Sequence, residues 1–396
     1  MKYKKMGAAV ATVLSLQLVL SGCWFNSTST NSVVNKNNGK TETVGLVPGV
    51  DSKEYQMLRP LANDTNRGYI QYGVTNLVDS DQLEVGLMNL SKNVFSPDQY
   101  VFQSGQYLKI SDINGMLYRQ GQEPKNQGGK TLPGLNPPLG KGKDIVAQSQ
   151  SSPKYLNYVL EQDYLKKGSN GKYALGGVSI AVSLNSVYSD SIMDSKKLIH
   201  PISVPLNAST VRAWGRAHAQ QIIQRIRSVS GLQQVPILLT LYMDAAPYSM
   251  VSGNFFDRTT VAAGSSSIGG WTAVNEDHVL FPSTYASSKY SLDSNKFNAF
   301  NSAVQKYYPD FVNVVGKGFY QNGTLKDLTL NINMNKFRDQ TELIAFTNYV
   351  ANIVNNSFSF PRDVPVHIYI TTGNVQDALI ERTASMDNAF VTMIQH

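Results

Sequence analysis

The side chains of this chain that could do chemistry are few and far apart. There is one cysteine, Cys23, and there are five histidines: His200, His218, His278, His367 and His396. No two histidines stand at HxH or HxxxH spacing, so no metal-ligand pattern assembles. No GxSxG elbow is present; residues 264–270, GSSSIGG, have the wrong spacing and read as a flexible loop. The S-x-x-K strings at 151–154 and 169–172 fall in expected turns, without the SDN and KTG elements that would complete an acyl-transfer site. The lone GKG at 316–318 reads as a bulge in a strand rather than a phosphate cradle. What remains is Asn275, Glu276, Asp277 and His278, with Asp244 closing an apolar strand. A carboxylate at a strand end can act as a base or hold a cation, but it more often caps a turn. Asp244, Glu276 and His278 are therefore candidate ligand-binding residues. No catalytic residue, metal site or cofactor is assigned, and the chain is not expected to be an enzyme.

Cys23 has a clearer context. Lys2, Lys4 and Lys5 precede an apolar run over 6–20, broken by Thr12, Ser15 and Gln17. A basic n-region, a short apolar h-region and a small-residue cleavage site make a secretory signal rather than a spanning helix. Leu20, Ser21 and Gly22 lead directly into Cys23, which is the lipobox pattern of bacterial lipoproteins. There the thiol takes a diacylglyceryl group, and the signal is then cut between Gly22 and Cys23. Residues 1–22 are thus expected to be removed. The mature chain would start at a fatty-acylated (palmitate-type) Cys23, on the outer face of the cell membrane. With that thiol used no disulfide is left, and a chain of this size does not need one.

The chain has 396 residues, 42% of them apolar, which suits a globular protein with two domains. Past residue 22 no apolar run is long enough to span a bilayer. The formal charge is +7; losing Lys2, Lys4 and Lys5 leaves 32 basic against 28 acidic side chains, or +4. Such an excess suits anionic lipid or wall polymer nearby. Lys and Arg are spread along the chain rather than gathered on one element, so no nucleic acid is expected. The 21 tyrosines, many beside Asn and Gln, suit contacts with peptides or glycans. The expected partners are the membrane, through the N-terminal lipid, and a peptide or cell-wall ligand.

These residues need elements to hold them. Residues 23–54, polar through NSTSTNSVVNKNNGK, read as a disordered tether. A strand is expected over 67–76. A helix is expected over 79–93 through Leu83, Leu87 and Leu90, with Asp79 or Ser80 as N-cap. Residues 119–142 are crowded with Gly, Pro, Gln and Lys and read as a long loop and a domain boundary. That gives domains over 55–145 and 153–396. Further on, helices are expected over 155–165, 208–229, 294–307 and 341–355. Strands are expected over 177–188, 235–243, 364–371 and 376–383, and a hairpin over 311–337 turns at Asn322-Gly323. His218 falls on the apolar stripe of the 208–229 helix and His367 in a strand, so both read as packed side chains. The alternation predicts an α+β fold of two domains, with helices packed on mixed, mostly antiparallel sheets.

Five segments carry a resemblance: LEQDYL (160–165), LGGVSIAVSLNSVY (175–188), VLFPS (279–283), VVGKGFY (314–320) and ELIAFTNYV (342–350). Together they resemble the CamS family of sex-pheromone lipoproteins from low-GC Gram-positive bacteria, over about residues 67–382. The resemblance implies a membrane-anchored surface lipoprotein whose signal peptide is trimmed to a short apolar pheromone. In this chain that peptide would come from residues just before Cys23, such as SLQLVLS (15–21). The segment departs from the family's Ile/Phe-rich heptapeptide at Gln17 and Val19.

Overall fold

Runs of Val, Ile, Leu and Tyr favour extended backbone, and in this computed structural model they form the strands of three sheets. The structure describes residues 32–35, 41–47, 53–59, 77–124, 132–307, 312–334 and 339–395. Three short strands come first: β1 (Ser32–Asn35), β2 (Thr41–Val47) and β3 (Gln56–Arg59). Helix α1 (Leu77–Ser91), strand β4 (Tyr100–Ser104), helix α2 (Ile110–Leu117) and helix α3 (Ile145–Ser151) follow. Then come the long strands β5 (Leu156–Lys167) and β6 (Lys172–Leu184), and a separate hairpin of β7 (Val187–Met193) and β8 (Ile199–Pro205). Helix α4 (Ala208–Arg227) leads to β9 (Ile237–Met243), β10 (Asn254–Val261) and β11 (Thr272–Ala273).

These strands form a nine-stranded sheet in the order β1-β2-β3-β4-β5-β6-β9-β10-β11. β1 also pairs in parallel with the start of β6, Val33 opposite Lys172, so the first six strands close into a ring. β6 and β9 run parallel from Val178–Ile237 to Leu184–Met243. A parallel pair needs a crossover, and the β7–β8 hairpin and α4 supply it. Asn207 starts α4 by accepting the backbone N–H of Ser209 and Thr210. Gly215 lets that helix come close to the sheet, because a Cβ there would lie 2.7 Å from Leu184 Cδ1.

The second body holds β12 (Glu276–Phe281), α5 (Thr284–Lys289), α6 (Ser291–Gln305), β13 (Val312–Gln321) and β14 (Thr324–Met334). It continues with α7 (Gln340–Asn356), β15 (Val366–Thr372), β16 (Val375–Arg382) and β17 (Phe390–Met393). Its sheet keeps chain order, β12 to β17. Only β14 and β15 are parallel, and α7 crosses between them. The β13–β14 turn uses Asn322 at φ 52 and Gly323 at φ 77, the geometry an Asn-Gly pair favours. The α+β fold with mixed sheets is the one expected.

Several expectations shift. One apolar core joins residues from Tyr55 to Val274, and a second starts at Val279. The cores therefore divide between residues 274 and 279, not in the 119–142 stretch. That stretch does not separate two sheets, because β4 before it pairs with β5 after it. It is also tied down. Asn136 is fully buried, donates to the Leu117 and Leu156 carbonyls, and accepts from the Tyr155 and Leu156 N–H groups. The expected helix over 155–165 is strand β5. Glu161, Gln162 and Asp163 interrupt its apolar run, yet all three are buried on this strand, which lies between β4 and β6 in the sheet. Within the expected tether, residues 32–35 and 41–47 are strands; ladder pairing uses backbone groups and needs no apolar side chains. Asp79 lies in the first turn of α1 and does not cap it. The strand expected over 67–76 and the signal segment lie outside the described residues.

Candidate functional site

β9 is apolar to its end, ILLTLYM, and the next residue is Asp244. Its backbone N–H donates to the Leu184 carbonyl at 2.9 Å, which turns the side chain back beside β6. Asp244 is 7% exposed. One carboxylate oxygen accepts from Ser183 Oγ at 2.6 Å and the other from Asn157 Nδ2 at 2.7 Å. Burial pushes its pKa up to about 8, helped by the nearby Asp79 charge and opposed by these two donors.

Asp79 reaches the same region from α1. The spacing that turns Leu83 and Leu87 inward turns Asp79 inward too, one and two turns earlier. Its carboxylate accepts from the Tyr242 hydroxyl, from Gly253 N at 2.7 Å and from Ala245 N at 2.9 Å. Burial holds its pKa above the ordinary carboxylate value, against the pull of those three bonds. One buried side chain thereby fixes both ends of the loop over 245–253. On that loop Tyr248 sits at φ 65, fully exposed.

Glu276 and His278 open β12 and point to β10, while Asp277 between them points the other way, as strand alternation requires. Glu276 Oε2 accepts from Phe255 N at 3.3 Å, and burial pushes its pKa up to about 7. His278 Nδ1 lies 2.9 Å from Asn254 Oδ1, and its ring stacks on Phe319 at 4.8 Å. Burial pushes it down to about 4, so it is neutral at pH 7. Asp277 accepts from Tyr285 Oη at 2.7 Å, Lys289 Nζ at 2.8 Å and Tyr290 Oη at 3.0 Å.

The structure thus brings Asp244 and Glu276 near one tyrosine, Tyr242, whose pKa both raise together with Asp79, after burial itself. It separates Asp277 from them. Sequence reasoning missed Asp79, Asn157, Ser183 and Tyr242; of these, only Asp79 left a signal, its place on the leucine stripe. The carboxylates of Asp79 and Asp244 are met by protein donors on both oxygens. Their chemistry is that of a buried polar frame joining α1, β5, β6 and β9 to the loop. Among the described residues no three His, Cys, Asp or Glu side chains gather as a metal site would. His218 Nδ1 lies 2.9 Å from the Trp214 carbonyl oxygen and its ring stacks on Trp214 at 3.9 Å. His367 stands between Asp327 at 3.3 Å and Glu381 at 3.7 Å. Gly22 and Cys23 lie outside the described residues.

A cavity of about 660 Å³ opens elsewhere, between α2 and the C-terminal end of α4. Its lining is mixed: Leu108, Ile110, Met116, Leu132 and Val229 are apolar, Ser111, Asn114 and Ser228 are polar, and Asp112 and Arg225 add charge. Asp244, Glu276 and His278 do not line it. Its size is within the range of small-ligand sites.

A model of the family described as CamS sex pheromone cAM373 precursor matches residues 62–388. A crystal structure of a sex pheromone precursor from Lactobacillus salivarius subsp. salivarius UCC118 is similar, with a TM-score of 0.75 and 26% identity; the match covers 89% of this chain and 99% of that one. The C-terminal domain of the sex pheromone staph-cAM373 precursor from Staphylococcus aureus is similar at a TM-score of 0.64 and 28% identity, over 82% of this chain and 99% of that one. No curated protein sequence matches this chain.

Proposed function

This chain belongs to the CamS family of sex pheromone precursors, and from there we propose that it is a lipid-anchored surface protein whose signal segment is trimmed to a short apolar signalling peptide. The observation that carries this reading is the position of Cys23. It follows a basic start, an apolar run and LVLSG without a gap. Eight residues lie between it and β1, a reach of at most about 30 Å, so the body would sit close to the bilayer. Among the described residues no helix is long and apolar enough to cross a membrane, which is consistent with attachment by the lipid. The folded body works by binding rather than by breaking bonds. The saturated carboxylates of Asp79 and Asp244 support that. Growth with a clickable fatty acid tests the anchor: the chain takes up label, and Cys23→Ala does not. Label retained by Cys23→Ala removes the basis of the reading. Mass spectrometry of the culture medium tests the peptide, which is expected as a fragment of residues 14–22.

A second reading is favoured by the cavity between α2 and α4: an anchored binding protein for peptide or cell-wall fragments. Its mixed lining offers Leu108, Met116 and Val229 to apolar side chains, Ser111, Asn114 and Ser228 to peptide groups, and Arg225 to a carboxylate. Thermal shift with SLQLVLS or with wall fragments decides it. A melting temperature unmoved by any of them rejects this ligand class.

A further inference from the structure

The β7–β8 hairpin forms its own two-stranded sheet. Its base is packed: Tyr188 and Ile202 are buried, and the Arg119 guanidinium lies 5.3 Å over the Tyr188 ring. Its tip is the reverse. Met193 is 62% exposed, Leu198 57% and Ile199 68%, and Met193 pairs directly with Ile199 across the two strands. Between them Lys196 and Lys197 are exposed. Lys197 takes φ 64, so the turn carries a lysine where backbone geometry favours glycine or asparagine. The one acid at the tip faces inward: Asp194 accepts from Lys196 N at 2.8 Å and Leu198 N at 2.9 Å, and lies 2.9 Å from His200 Nε2. The tip therefore presents three aliphatic side chains and two uncompensated positive charges.

We propose that this hairpin tip docks into the surface of an anionic lipid bilayer, its aliphatic side chains entering the headgroup–acyl boundary and Lys196 and Lys197 meeting the lipid phosphates. The charge is complementary, and long lysine side chains can reach back to the headgroups while their neighbours are buried. The tip lacks the Trp, Tyr and Arg that anchor protein interfaces, which favours a bilayer over a protein pocket. β1 pairs with the start of β6, and the hairpin leaves the other end of that 13-residue strand, about 40 Å away at ~3.3 Å per residue. A chain held at both places lies along the bilayer. The inference goes beyond a lipid on Cys23 and does not require one.

The test uses the full chain with Cys23→Ser, which cannot be acylated, and with Ser195→Cys carrying an environment-sensitive nitrobenzoxadiazole dye. Vesicles of equal phosphatidylglycerol and phosphatidylcholine are expected to raise dye emission several-fold, and brominated lipid to quench it. Lys196→Ala with Lys197→Ala shifts the tip's partition about 25-fold toward water, some fivefold per lysine. Leu198→Ser with Ile199→Ser abolishes the response, with far-UV circular dichroism unchanged. The same dye at Ser385→Cys, on the exposed β16–β17 connection, stays silent and so separates tip docking from capture through the N-terminal apolar segment. No response at Ser195→Cys, or an equal response on pure phosphatidylcholine that the lysine changes leave intact, overturns the proposal. So does a response that grows with protein concentration without vesicles, which would assign the tip to a second copy of the chain. The fatty-acid label on Cys23 is read on a different chain, so either idea can fail alone.

Discussion

Tyr242 and Asp79 stand 163 residues apart and share a hydrogen bond inside the core, the tyrosine hydroxyl donating to the carboxylate. The same carboxylate takes the N–H groups of Ala245 and Gly253. Asp79→Ala leaves three donors unmet, at ~1–3 kcal/mol for each that stays buried. The expected loss is about 3 kcal/mol, read as a lower urea midpoint with an unchanged slope. Asp79→Asn keeps one acceptor and loses less. A midpoint equal to wild type in Asp79→Ala would falsify the clamp.

Stability should fall from pH 6.5 to 8. Asp244 and Glu276, raised to about 8 and about 7, keep a proton in the folded state that the unfolded chain has already lost. The native state then binds more protons than the unfolded one from about pH 4 upward, so stability drops as pH rises through that window. His278, lowered to about 4 from 6.5, acts in the opposite direction, and its effect fades as the pH rises past 6.5. Toward pH 8 the carboxyls dominate, at ~1.4 kcal/mol per pH unit for each whole proton. Urea midpoints at pH 6.5 and 8 measure the slope, and Asp244→Asn should flatten it.

Arg216 on α4 grips Asp257 on β10 with two parallel bonds of 2.7 Å. Asp257 is 1% exposed, whereas half of the arginine side chain meets solvent. Arg216→Ala strands a buried carboxylate and should cost about 2 kcal/mol, discounted from the fully buried case for that exposure. Arg216→Lys keeps the charge but loses the fork, and should recover less than half. Thermal denaturation of the three chains ranks them; a lysine variant equal to wild type would show that charge alone matters.

Gly177 lies on β6 where a Cβ would come 2.1 Å from Phe95 Cε1. Phe95 cannot retreat easily, since it stacks on Tyr164 at 4.9 Å and meets Tyr100 edge-on at 5.3 Å. Gly177→Ala should lose about 2 kcal/mol by overpacking. Adding Phe95→Leu should restore part of it. If the double change costs the full sum of the two single changes, the contact is not the cause.

The elements that were legible in sequence are those with a strong local period. α4 shows its stripe through Val211, Ile222 and Ile226, and β6 its apolar alternation. The β13–β14 turn is written in Asn322-Gly323. β5 was not legible, because Tyr155, Val159 and Gln162 fall at helical spacing while Glu161, Gln162 and Asp163 break the apolar alternation expected of a strand. The β7–β8 hairpin left little trace, since Ser and Asp interrupt β7, Pro201 and Pro205 punctuate β8, and the two strands pair only with each other. Of the candidate site, the identities of Asp244, Glu276 and His278 were visible, but their partners were not. Asn157 and Ser183 come from two different strands.

The sequence by itself determined that Cys23 follows a basic start and an apolar run, the α+β class and the family segments. Each rests on neighbouring residues or on residue types alone, and needs no knowledge of what lies across the fold. Only the tertiary structure decided where the two cores divide, which carboxylates are buried and which donors meet them. Those depend on strand order and on contacts such as Asp79 with Tyr242, whose partners the chain places far apart in sequence and only folding brings together.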